Sequence, residues 1–175
     1  SKAEKVLEKA REVVETIKRL VEEVLRHSED VVRRITDLVR RLLEENERVV
    51  REIKRLADEG SRGESEVKKL SDDMRKRNRD VEREVRELSE RDREELRKVK
   101  EEIKERLDRI REELERSEVD ERVIKKIEDL LKKVDDEAKK MLEEVERLNK
   151  EVNDRLKRVL EEAERLHEEV NRRVK

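Results

Sequence analysis

Apolar residues recur along this chain in steps that alternate between four and three, the spacing of one face of an α-helix. The first run is Ala3, Leu7, Ala10, Val14, Ile17, Val21 and Val24; after a polar step it continues through Val31, Ile35, Leu38 and Leu42, then Val49, Ile53 and Leu56. Flanking residues widen the stripe on one side early (Val6, Val13, Leu20) and on the other side later (Leu25, Val32, Val39). That drift is expected of a nearly straight helix rather than a strict 3.5-residue supercoil. A second stripe is a single narrow line, from Val67, Leu70 and Met74 through Val85, Leu96 and Ile103 to Ile110 and Leu114. A third, from Ile127 and Leu131 to Leu166 and Val170, is wide again, with Leu130, Leu142 and Leu160 on its flank.

Two interruptions separate the stripes. The chain's only two glycines sit together in Glu59-Gly60-Ser61-Arg62-Gly63-Glu64-Ser65. Gly60 is placed to end a helix in the left-handed conformation, and Ser65 is placed to cap the next one. The second interruption, Arg116-Ser117-Glu118-Val119-Asp120, has no glycine and is read from capping: Asp120 as N-cap, with Val119 and Ile124 at the two positions of a hydrophobic staple. Ser1 and Glu4 have capping-box spacing, so a helix is expected to begin where the sequence begins, with no tail before it. Helices are therefore predicted over about 2–58, 66–116 and 121–174. Short connections make neighbours antiparallel. The expectation is an all-α, coiled-coil-like fold: one domain over 1–175, an up-down-up three-helix bundle of long, nearly straight helices about 80 Å in length around one contiguous core. No sequence repeat matches the three segments, which argues against a solenoid.

Composition sharpens this picture. The 175 residues include no Phe, Tyr, Trp, Pro, Cys or Gln, and 58% are Asp, Glu, Lys or Arg. With 50 basic and 52 acidic residues the net charge is only −2, and the apolar residues are periodic rather than scattered, so the chain reads as folded, not disordered. Opposite charges recur at i,i+4, as in Glu94 with Lys98 and Glu102 with Arg106, and such runs are solvated faces. No apolar run is long enough to span a bilayer and the start lacks a signal peptide's apolar core, so a soluble protein without a targeting signal is expected, as in recombinant cytoplasmic expression; the compartment itself is unknown. Without cysteine there are no disulfides and no thiolate chemistry.

The polar residues inside the stripes are the candidate site. For tightly folded turns, residues of the first two helices share a level when their numbers sum to about 124, and those of the last two when they sum to about 236. Asn46 then faces Asn78; Thr36, Ser89 and Asn149 fall in one layer; Ser71 lies beside His167. Taken singly, each of these residues also fits a water-exposed stripe edge. Their coincidence in level favours hydrogen bonds across the core, because a buried amide without a partner costs about 1–3 kcal/mol. Asp92 also interrupts its stripe, within about a turn of the level of His27 and Ser28.

A narrow helical alphabet, straight stripes and polar layers such as Asn46/Asn78 resemble de novo designed helical bundles containing buried hydrogen-bond networks, over the whole chain. The resemblance implies a purpose of structure or recognition, with polar layers that specify register and partner rather than perform catalysis.

Little else in the chain carries chemistry. Glu164 and His167 have the E-x-x-H spacing of di-iron bundles, but the second histidine, His27, is expected about 40 Å away, so no metal site is predicted. Phosphate loops, nucleophile elbows and zinc motifs are missing, and carboxylates are too common for any pair to signal acid–base catalysis. No enzyme activity, cofactor or small-molecule substrate is expected. Basic residues interleave with acids and no aromatic is available for stacking, which excludes nucleic-acid binding, and no membrane association is expected. The leading functional reading is a designed structural scaffold, monomeric and with no natural biochemical activity. Its rivals are a binding or oligomerisation module that uses the wide apolar faces of the first and third helices, for a second copy or a designed helical partner, and a natural coiled-coil spacer.

Overall fold

In a computed structural model, which describes residues 1–173 apart from the side chains of residues 61 and 62, the chain forms a three-helix bundle. Helix α1 spans Lys2–Ala57, a 3-10 turn covers Gly60–Gly63, α2 spans Glu64–Arg116 and α3 spans Glu121–Arg173. There is no strand among the described residues. Residue 174, the expected end of the third helix, lies outside the described residues.

The helix ends follow from local chemistry. At the start of α1 the Ser1 hydroxyl accepts the Glu4 N–H at 3.3 Å, and the Ser1 amino group lies 3.6 Å from the Glu4 carboxylate. Gly60 has φ +77°, so the chain leaves α1 through a left-handed residue that costs glycine no Cβ clash. Gly63 is required for a different reason: a Cβ there would sit 2.5 Å from the Leu56 carbonyl oxygen. Ser65 does not cap α2. The 3-10 turn runs directly into the helix, whose first residue Glu64 already has φ −59° and ψ −44°, so Ser65 lies inside the first turn and is exposed. Asp120 caps α3 as expected, its carboxylate accepting the Arg122 N–H at 3.3 Å and its carbonyl the N–H groups of Val123 and Ile124.

Contacts divide the bundle into two compact units, residues 1–30 with 91–147 and residues 31–90 with 148–175. In the first, segments of all three helices close around Ile17, Leu107, Ile127 and Leu131, all nearly or fully buried. Antiparallel pairing of α1 with α2 is marked there by Lys9 with Glu113 at 3.4 Å, and of α2 with α3 by the Lys100–Glu146 ion pair. In the second unit, Glu45 pairs with Arg77 at 2.9 Å and Glu164 with Arg75 at 3.0 Å, in the same antiparallel sense.

The single contiguous core expected from the stripes is not what forms in the second unit. Its buried apolar residues fall into two clusters, one around Ile35, Leu42, Val85 and Leu156, the other around Ile53, Met74, Ala163 and Val170. Asn46 lies between Leu42 and Val49 on α1, and Asn78 between Met74 and Val81 on α2. A pair of amides at that level cannot join an apolar contact network, so the core is divided there.

Candidate functional site: polar layers inside the bundle

Asn46 and Asn78 are brought face to face, with 6% and 4% of their surface exposed. The Asn46 Nδ2 donates to Asn78 Oδ1 at 2.9 Å and the Asn78 Nδ2 donates back to Asn46 Oδ1 at 3.0 Å. Asn78 Nδ2 also donates to the Met74 carbonyl, one turn earlier on its own helix, at 2.6 Å. Both Nδ2 hydrogens of Asn78 are thereby used, and each amide oxygen has a donor. A one-residue slip of either helix would break both inter-helix bonds at once, which is how a short polar pair fixes register.

The layer expected from Thr36, Ser89 and Asn149 forms only in part. Ser89 and Asn149 are both buried, and what connects them is Asn153, a residue not singled out from the sequence. Asn153 Nδ2 reaches Ser89 Oγ at 3.1 Å, Asn149 Oδ1 at 2.7 Å and the Asn149 carbonyl at 2.8 Å. Thr36 does not join them. Its hydroxyl donates to the Val32 carbonyl four residues back, at 2.7 Å, the usual way for a threonine within a helix to satisfy itself locally. Partnership with Asn153 rather than a simple equal-level match follows from side-chain direction: Cα–Cβ bonds tilt toward the N-terminus of their own helix. In an antiparallel pair the tips of Ser89 and of a residue one turn beyond its level therefore converge.

Ser71 and His167 meet in the third layer, Ser71 Oγ lying 2.8 Å from Nδ1. On the other side of the ring, Nε2 faces Arg75 Nη1 at 3.3 Å and Asn171 Nδ2 at 3.1 Å. A guanidinium can only donate, so Nε2 must be the acceptor and the proton resides on Nδ1, donated to the serine hydroxyl. The imidazole is the neutral Nδ1–H tautomer. Asp72 comes no nearer than 3.9 Å to Nδ1 and leaves that assignment unchanged. The E-x-x-H pair is also accounted for: one nitrogen of the Arg75 guanidinium bonds Glu164 at 3.0 Å while another faces His167. A cation already bridges the carboxylate and the imidazole. Among the described residues no group of three or more His, Cys, Asp or Glu is placed to hold a metal ion.

A fourth polar pair occupies the other unit. Ser28 and Asp92 are each fully buried, and the Ser28 hydroxyl donates to Asp92 Oδ1 at 2.6 Å, the short distance of a charge-assisted bond. His27, its chain neighbour, is exposed on α1. Serine rather than histidine is the partner because the α1 stripe passes through position 28, seven residues after Val21 and seven before Ile35.

No family model matches this chain, and no curated protein matches it. It is similar to a solved structure described as a computationally designed three helix bundle, with 16% sequence identity and a TM-score of 0.49, over 99% of this chain and 81% of that one.

Proposed function

We propose that this chain is a structural scaffold, a bundle whose function is its fold and whose buried polar pairs set the register of its helices. The observation that carries the reading is that the polar groups inside the bundle find their partners within the chain. Among the described residues the only buried side-chain nitrogen or oxygen without a hydrogen-bond partner is Arg75 Nε, on a residue whose other nitrogens are bonded. Networks built to be completed by another molecule would leave donors or acceptors unmatched at the layers, and each would cost about 1–3 kcal/mol in the isolated chain. The polar layers therefore act as internal specificity devices, in keeping with a sequence that resembles designed bundles.

The expected behaviour is a cooperative, thermostable monomer with no catalytic activity. Sedimentation mass at two concentrations, together with thermal unfolding followed by circular dichroism, tests this. A chain that stays monomeric and unfolds well above the ordinary mesophile range agrees with the scaffold reading; a chain that is largely unfolded until a partner is added defeats it.

A further inference from the structure

The charged exterior of each unit has apolar exceptions. Large exposed apolar side chains among the described residues are Leu43, Leu130 and Met141, on α1 and α3 and never on α2. In the second unit, Leu43 lines a trough of about 420 Å³ between α1 and α3, whose floor is Val39, Val152 and Val159. In the first unit, Asp135, Lys139 and Glu143 line the α2–α3 groove. At 100° per residue Leu130 and Met141 fall on the opposite flank of α3, the one turned toward α1. The second unit thus carries an apolar flank between α1 and α3, and in the first unit the exposed apolar side chains lie on α3.

The rim of the trough has a sign. Arg155 and Arg158 are exposed and have no ion pair among the described residues, on a surface where opposite charges are widely paired. Arg40, the third cation, is held by Asp37 at 3.0 Å, and Glu162 is the one acid in the lining. No unsatisfied polar group lies in the floor, because the Thr36 hydroxyl is occupied by the Val32 carbonyl. A narrow apolar trough between two parallel helices, rimmed by unpaired arginines, fits an amphipathic helix with apolar residues at i, i+3, i+4 and i+7 and glutamates along the edge facing α3. We propose that the α1–α3 trough of the second unit docks such an acidic-edged amphipathic helix from another chain, as a fourth helix of the bundle. This goes beyond the scaffold reading, since the bundle is complete without the partner.

The test uses the full chain and fluorescent synthetic peptides of about three heptads, with leucine at the a and d positions and either glutamate or lysine at the edges. The glutamate peptide is expected to bind saturably, one per chain and about tenfold or more tighter than the lysine peptide, with the gap closing as salt is raised. Arg155→Glu combined with Arg158→Glu should invert the preference, and Leu43→Lys should weaken both peptides. All three positions are exposed, so unchanged melting of the variants verifies that the fold is intact. Absence of saturable binding, equal affinity for the two peptides, or a preference untouched by the arginine reversals would overturn the proposal. So would a concentration-dependent doubling of mass that Leu43→Lys abolishes, which would make a second copy of this chain the occupant.

Discussion

Replacing Asn46 and Asn78 singly and together by leucine separates a register-setting pair from two solvated amides, and the geometry predicts unequal single effects. Asn46→Leu removes the donor to Asn78 Oδ1 and one acceptor of Asn78 Nδ2, but that nitrogen keeps the Met74 carbonyl. The buried oxygen and one of the two Nδ2 hydrogens are left unmatched, at a cost of about 1–3 kcal/mol. Asn78→Leu strands both ends of the Asn46 amide, for which the structure provides no other partner, and should cost about 1 kcal/mol more than Asn46→Leu. The double change leaves no stranded group and joins the two apolar clusters on either side, so stability should return to the starting value or exceed it. Guanidinium unfolding followed by circular dichroism reads all four proteins, with a constant denaturant slope required before free energies are compared. Single effects that are equal, near zero and additive in the double mutant would refute the pair as a buried unit.

Three further outcomes follow from the turn, the imidazole and the surface. Gly60→Ala should destabilise by about 1–2 kcal/mol because its φ of +77° is left-handed although the space is open, and Gly60→Asn should be milder; Gly63→Ala should cost at least as much, since the Leu56 carbonyl must move, and melting curves of the three rank them. Adding zinc should change neither the melting temperature nor the His167 ring resonances, because the Arg75 guanidinium bridges His167 and Glu164; a stoichiometric shift abolished by His167→Ala would show that view wrong. Hydrogen bonds from Arg55, Arg97 and Arg147 hold the carboxyls of Glu52, Glu94 and Glu144 below the ordinary glutamate value. The folded state then binds fewer protons than the unfolded one, so what these pairs contribute is present above the unfolded value and is lost as pH falls through the lower folded values. Carbon-detected carboxyl titrations should show the three glutamates protonating after their exposed neighbours, with Arg97→Gln restoring Glu94.

The helices were legible because helix periodicity is a local property: Ser1 with Glu4, Gly60 and Asp120 act through residues within a turn of themselves. Ser65 was misread because a 3-10 turn feeding a helix leaves no place for a cap, and nothing in the residue types distinguishes that from a capped start. Level arithmetic located Asn46 opposite Asn78 and Ser71 opposite His167, where residues on two facing stripes point at one another. It missed Asn153, Arg75 and Asn171, which lie beside the stripes and reach the layers through side-chain length and direction. It over-reached at Thr36, since a hydroxyl has a partner available on its own helix and an amide is harder to satisfy that way. The signal that could have found Asn153 was its position four residues after Asn149, where two amides on one helix face can share a hydrogen bond.

The closed layers and the apolar flank impose different requirements, and the chain meets them on different faces. Specificity inside the bundle needs groups whose loss is costly, so its polar atoms are paired, with Arg75 Nε the one exception among the described residues, as at Asn46/Asn78, Ser28/Asp92 and His167 with its three neighbours. A surface that accepts a partner without unfolding alone needs the reverse: apolar side chains that tolerate water when vacant, such as Leu43, and charges such as Arg155 and Arg158 that remain solvated until an opposite charge arrives. Had polar layer residues opened onto the α1–α3 trough, the isolated chain would have stranded them and the fold would depend on its partner. Because the trough floor is apolar and Thr36 is satisfied locally, occupancy of the trough can change without disturbing the hydrogen bonds that set the register. Mutations at Asn46 and Asn78 should therefore shift stability while leaving peptide preference unchanged, and reversal of Arg155 and Arg158 should do the opposite. A coupling between the two sets larger than about 0.5 kcal/mol in a double-mutant cycle would mean that layer and trough are one system.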